Sequence, residues 1–217
     1  MRGLIEKDFR LMMLKKNILL IIAAVCLIFI IKGTTSNYSF VVSYAGICLT
    51  IMSLGTINYD KHDNCMSFIM ALPITKKDYV LEKYLLGFAS AFLGLLFGII
   101  CWSVSVILKN SSTSIEENLA TLLIYLLIDL FMLAVYLPIY IKFDPEQLTL
   151  ISLITAGIFV GLGYLGFKIV LLLNIDVESF ANTVSGGTVA AAAVGLSLLF
   201  YVISFMISYK IMLNKEF

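Results

Sequence analysis

The chain has 217 residues, of which 61% are hydrophobic and only 13% charged, and its mean hydropathy is +1.02. An ordinary soluble domain is about half apolar and about a quarter charged, so a soluble fold would have too few charges to cover its surface, and a membrane is the solvent that fits. The net charge of +1 excludes the broad basic field of a nucleic-acid binder, so no nucleic-acid partner is expected.

Residues 1–16 open the chain with Leu4, Ile5, Phe9, Met12 and Met13 at helical spacing and Arg2, Glu6, Lys7 and Arg10 between them. The pattern predicts an amphipathic helix lying in the cytoplasmic membrane interface, or a cytoplasmic extension of the first span. Six apolar segments follow, over residues 18–31, 38–57, 85–108, 119–141, 148–173 and 188–212. A crossing needs about 20 residues. The first segment is short, but Lys16 and Lys32 at its ends can snorkel to the two interfaces. No small-x-small cleavage site follows it, so it reads as a retained helix rather than a signal peptide. The expected fold is an all-α membrane protein with six transmembrane helices in a single domain over residues 1–217, without a soluble insertion that could hold a nucleotide-binding or enzymatic unit.

The basic residues orient the spans. Arg2, Lys7, Arg10, Lys15, Lys16, Lys61, Lys76, Lys77, Lys83, Lys142, Lys210 and Lys215 fall on one side, and Lys32, Lys109 and Lys168 on the other. Twelve against three puts both termini in the cytoplasm. The longest connection, 58–84, is then cytoplasmic. Within it Cys65, Phe68, Ile69 and Leu72 share one face of a short helix, and Pro73 stops that helix. Thr75 and Asp78 have the spacing of a capping box for the next helix, which carries Lys76, Lys77, Glu82 and Lys83 toward the third span. A short apolar-faced helix at the cytoplasmic surface suits docking to a soluble partner; its other reading is a helix hugging the membrane.

Two stretches resemble a known family. Asp60, then Met66 to Leu72, then Pro73-Ile74-Thr75-Lys76-Lys77, Val80 and Lys83-Tyr84 look like the first cytoplasmic loop of bacterial ABC-2 type permeases. Leu137-Pro138-Ile139-Tyr140-Ile141-Lys142-Phe143 resembles the proline-containing end of the fourth span in the small members of that family. Asp144 and Gln147 stand where those members commonly have Gly and Lys. The resemblance implies the membrane subunit of an ATP-driven exporter in the bacterial cytoplasmic membrane, paired with a second permease subunit and with separate ATPase subunits that bind ATP and Mg. It implies a coupling helix in the first cytoplasmic loop, with Asp60, Met66, Phe68, Ile69, Leu72, Pro73, Lys76 and Lys77 as the ATPase-coupling residues. An outer cap in the segment 174–187 belongs to the same picture. Peptide-like or other lipophilic cargo is the first expectation for the substrate.

Gly161, Gly163 and Gly166 spell GxGxxG, but they sit inside a span rather than after a strand, so they are no phosphate loop. With Gly157 and with the Gly94–Gly98 pair they read as helix-packing glycines. Asp60, His62, Asp63 and Cys65 read as a solvated loop rather than a metal site. Cys26, Cys48, Cys65 and Cys101 form no CxxC and read as small hydrophobes. Asp129 lies mid-span, where a charge is costly and faces protein or water, and Lys168 is the other intramembrane charge. The two can pair, or Asp129 can line a substrate path, or it can be a protonated structural acid. Two alternatives to the exporter stay open: a self-sufficient proton-coupled transporter using Asp129, and a non-transporting membrane protein of the bacteriocin-immunity type.

Overall fold

The computed structural model describes residues 2–32, 37–62, 65–109, 115–172 and 186–215. Their elements are all helices: α1 (Arg2–Leu14), α2 (Lys16–Lys32), α3 (Asn37–Lys61), α4 (Cys65–Ala71), α5 (Lys76–Lys109), α6 (Ile115–Lys142), α7 (Pro145–Leu172) and α8 (Gly186–Leu213). Five stretches are long and apolar enough to cross a membrane, at 39–61, 76–104, 119–142, 145–165 and 190–213. The 17-residue α2 meets that test only together with α1, from which it is bent by 61°. The six expected spans are thus five, or six with the bent pair, because the first apolar segment is short.

Local chemistry explains where the helices begin. Thr75 Oγ1 donates to Asp78 Oδ2 at 2.7 Å, and the Asp78 amide donates back to Thr75 Oγ1 at 3.1 Å, closing the capping box that starts α5. Pro145 is the first residue of α7, where its missing amide hydrogen costs nothing. The Asp144 carbonyl accepts from the amides of Gln147 and Leu148 at 3.0 and 3.1 Å. Two lysines satisfy carbonyls left over at helix C-termini. Lys61 donates to the Phe143 carbonyl just past α6, and Lys76 donates to the carbonyls of Leu213 (3.2 Å) and Lys215 (2.7 Å) at the end of α8. These bonds gather the end of α3, the start of α5 and the ends of α6 and α8 at one charged end of the bundle.

The helices α3 and α5 form the central pair, α6 packs on both, and α8 packs on α6 and α5. Glycine permits the central crossing: a Cβ built on Gly94 would lie 2.9 Å from the Gly46 Cα, and one on Gly98 would lie 2.9 Å from Val42 Cγ1. The Gly157–Gly161 pair does not act this way. Nothing lies within 4 Å of a Cβ built on either residue or on Gly163, because α7 sits at the outside of the bundle against α6. Leu148 is the one buried residue of α7 among those described.

The main core lies near the charged end, where Ile57, Tyr79, Val80, Leu133, Leu137, Ile141 and Met212 are buried. A second cluster of Ile22, Cys26, Val41, Ala45, Met52 and Cys101 ties α2 to α3 and α5. The four cysteines are free; Cys26 and Cys101 are buried and Cys48 and Cys65 half-buried.

Candidate functional site

At the charged end of the bundle lies a buried cluster of charges drawn from three helices, α1, α3 and α5. Lys83 of α5 bonds to Asp8 of α1, sits 2.7 Å from Asp60 Oδ2 of α3, and donates to Thr56 Oγ1 at 3.3 Å. Lys7 bonds to Asp60 Oδ1 and lies 3.1 Å from Asp8 Oδ1. The Tyr79 hydroxyl donates to Asp60 Oδ2 at 3.0 Å. Asp8, Tyr79 and Glu82 are 0% exposed, Asp60 1% and Lys83 2%. Taking such charges out of water costs several kcal/mol per ion unless each is paired, so the cluster only tolerates α1, α3 and α5 in one mutual arrangement.

The pairing is unequal. Two ammonium groups, Lys7 and Lys83, face three carboxylates, those of Asp8, Asp60 and Glu82. Glu82 is left with the weakest share: its Oε2 is 3.6 Å from Lys83 Nζ, and neither carboxyl oxygen has a hydrogen-bond partner. Burial pushes the Asp8 carboxyl up, but the Lys83 and Lys7 ammonium groups outweigh it and hold Asp8 below its ordinary 3.8.

The stretch from α4 to Leu72 divides its apolar residues between two directions. Met66 and Ile69 are buried at 7% and 3% exposure and pack into the main core. Phe68 is 69% exposed and Leu72 42%. The expected single face of Cys65, Phe68, Ile69 and Leu72 is therefore split: Ile69 anchors the helix, with Cys65 against the same core, and Phe68 and Leu72 project outward. Pro73 lies in the bend after α4, Lys77 is exposed, and Lys76 caps α8 as described. His62 and Asp60 do not converge with Cys65 on a metal site; among the described residues no group of three suitable ligands exists, and Asp63 lies outside them.

Asp129 occupies a different place, mid-bundle, at 5% exposure. Its Oδ2 sits against Gly46 of α3, and Gly94 of α5 lines the same crossing. It makes no ion pair with Lys168, and its readings as a substrate-path residue or a structural acid stay open. The pair is absent by position: Asp129 faces the α3–α5 crossing, whereas Lys168 is exposed on the peripheral α7. The expected outer cap falls mainly on residues 173–185, outside the described residues.

No local pattern in the sequence assigns Lys7, Asp8, Tyr79, Glu82 and Lys83 to a common site, and Asp60, expected in a solvated loop, is instead buried at the centre of the cluster, because α1 and α5 close over it. A signal was present on α5: Tyr79, Lys83, Leu86 and Ser90 fall on one helical stripe that continues into the apolar span, and all four are buried. For Asp8 the signal is its place one turn after the buried Leu4.

A bundle of long apolar helices, with a buried charge cluster at one end and Asp129 alone in mid-bundle among the described residues, defines a multi-pass membrane protein. Over residues 3–213 the chain matches the model of a family described as ABC-2 family transporter protein, and it belongs to that family. It is accordingly a membrane permease of an ABC transporter, the transport subunit rather than the ATPase. No curated protein and no solved structure matches it significantly.

Proposed function

We propose that this permease is half of the membrane portion of an exporter in the bacterial cytoplasmic membrane, with both termini in the cytoplasm and a separate ATPase docked on α4. The observation that carries the docking is the divided α4. Met66 and Ile69 root it in the core that also holds Ile57, Tyr79 and Val80, and Phe68 and Leu72 stand outward, exposed among the described residues. A partner pushing on Phe68 would move a helix packed through Met66 and Ile69 on the core that holds Tyr79, and Tyr79 bonds to Asp60, so closure of the ATPase on ATP and Mg, both bound in that partner, reaches the spans through that core and the Asp60–Lys83 pair. Pro73 ends the lever and Lys76 and Lys77 flank it. A second permease subunit completes the path, in line with the large apolar surface that α7 and α8 leave uncovered. The few polar residues along the spans fit a lipophilic or amphipathic cargo, with peptides first.

Co-purification with the ATPase tests the docking. Burying a Phe side chain is worth roughly 1.5–3 kcal/mol and a few such residues carry most of an interface. Phe68→Ala with Leu72→Ala should weaken ATPase association by about tenfold, since 1.4 kcal/mol is one decade. The double variant should fold normally, because neither side chain is in the core. Ile69→Ala should instead lower stability. Undiminished ATPase binding and transport by the double variant would remove α4 as the docking element.

A further inference from the structure

Three oxygens of the charge cluster are left over. Asp8 Oδ1 and both carboxyl oxygens of Glu82 are buried without a hydrogen-bond partner. The other carboxylate oxygens are all used. Asp8 Oδ2 takes Lys83, Asp60 Oδ1 takes Lys7, and Asp60 Oδ2 takes Tyr79 and Lys83. A buried acceptor without a donor is costly, and three in one place have a common cause. The two carboxyls concerned flank one ammonium group: Lys83 Nζ bonds to Asp8 and lies 3.6 Å from Glu82 Oε2. They also lie within hydrogen-bonding reach of each other. Two ionised carboxylates in that position repel and have no hydrogen to share, whereas a protonated carboxyl is a donor.

The charge balance leads to the same place. α1 contributes Lys7 and Asp8, α3 contributes Asp60, and α5 contributes Glu82, Lys83 and the Tyr79 hydroxyl. Three carboxylates against two ammonium groups leave one negative charge over. The neighbouring cations are engaged elsewhere. Arg10 closes on Glu6 at 2.6 Å on the exposed side of α1, Lys61 is turned to the Phe143 carbonyl, and Lys76 to the end of α8. We infer that the cluster binds one proton, carried by Glu82 as a neutral acid that donates to Asp8 Oδ1, and that this proton lets α1 seat against α5. Glu82 is its carrier because Asp8 has a second ammonium group, Lys7, 3.1 Å from its Oδ1. Those two ammonium groups hold Asp8 ionised, below its ordinary 3.8. Leu4 and Asp8 are the only buried residues of α1 among those described, so half of its buried anchorage depends on that proton. Losing it at high pH returns an uncompensated charge to the α1–α5 contact.

Infrared spectra of the full chain in detergent, taken across pH, test the proton directly. The wild type should show a protonated-carboxyl band at neutral pH. Glu82→Gln should remove that band, and Asp129→Asn, which alters the acid in mid-bundle, should leave it. Thermal unfolding tests the consequence. Folding holds the proton more tightly than the unfolded chain does, so wild-type stability falls as pH rises, while an amide at position 82 has no proton to lose. Wild type and Glu82→Gln should melt together at mildly acidic pH, and the variant should lead by about 2–4 °C at alkaline pH. Glu82→Met should also lose the pH dependence, but it should melt below Glu82→Gln throughout, because it cannot donate to Asp8 Oδ1. A carboxyl band that survives in Glu82→Gln overturns the proposal. So do parallel curves for wild type and Glu82→Gln, equal melting of the Gln and Met variants, or a Glu82→Gln chain that does not fold. All of these readouts use the isolated chain, so they stand apart from ATPase docking on α4.

Discussion

The carboxylate of Asp129 occupies the space that a side chain on Gly46 would need: a Cβ built on Gly46 would lie 2.3 Å from Asp129 Oδ2. Across the same crossing Gly94 meets backbone, at 2.9 Å from the Gly46 Cα. An Asp carboxylate can rotate away, but a helix backbone cannot. Gly94→Ala should therefore part α3 from α5 and cost about 1–3 kcal/mol. Gly157→Ala and Gly161→Ala on the open face of α7 should be silent in the same thermal-unfolding assay in detergent. Equal melting temperatures for all three would contradict the packing of α3 on α5.

Asp129→Asn keeps the shape of the side chain between Gly46 and Gly94. We expect a folded, ATPase-bound permease whose export is slowed, as measured in reconstituted vesicles. Wild-type export by the folded variant would take Asp129 off the substrate path and leave it a structural acid.

The charge cluster makes an asymmetric prediction. Lys83→Met leaves Asp8 and Asp60 sharing one partner and should cost about 3–5 kcal/mol, because breaking a buried pair strands its counter-charge. Lys83→Met combined with Asp8→Asn should recover part of that loss. Glu82→Gln should be neutral or stabilising, since it removes the carboxylate that has no hydrogen-bond donor. A Glu82→Gln variant as unstable as Lys83→Met would show that Glu82 is a full member of the cluster.

Acid should release α1. Asp8 is held below its ordinary 3.8 by Lys83 and Lys7 against the opposing effect of burial. Its contribution to stability is thus fully present above pH 3.8 and is lost as pH falls through the lower, folded-state value. The difference in melting temperature between wild type and Asp8→Asn should shrink as pH falls below 3.8. A difference that does not shrink at the acid end would mean that Asp8 is not the titrating group.

Five of the six apolar spans, the Thr75–Asp78 cap, the break at Pro73 and the packing role of Gly94 and Gly98 were legible in the sequence, because each depends on local spacing or on composition. The charge cluster was not. Asp8, Asp60 and Lys83 lie on three helices, and no local pattern tells a solvated lysine at a helix start from one bonded to a distant carboxylate. The split of α4 was hidden for a related reason. A helical repeat identifies Phe68 and Ile69 as neighbours on one face, but only the packing of α3 and α5 determines that Ile69 turns in and Phe68 out. Gly157 and Gly161 show the reverse error: the spacing of a packing motif without a helix against it.

The link between Asp8 and Lys83 spans 75 residues of chain. At the roughly 5–20 residues per second of synthesis, Asp8 leaves the ribosome about 4–15 s before its partner. During that interval α2 and α3 can enter the bilayer while α1 waits at the surface with its carboxylate hydrated. The cluster can close only once the start of α5 has emerged, so α1 is made well before the residues that seat it.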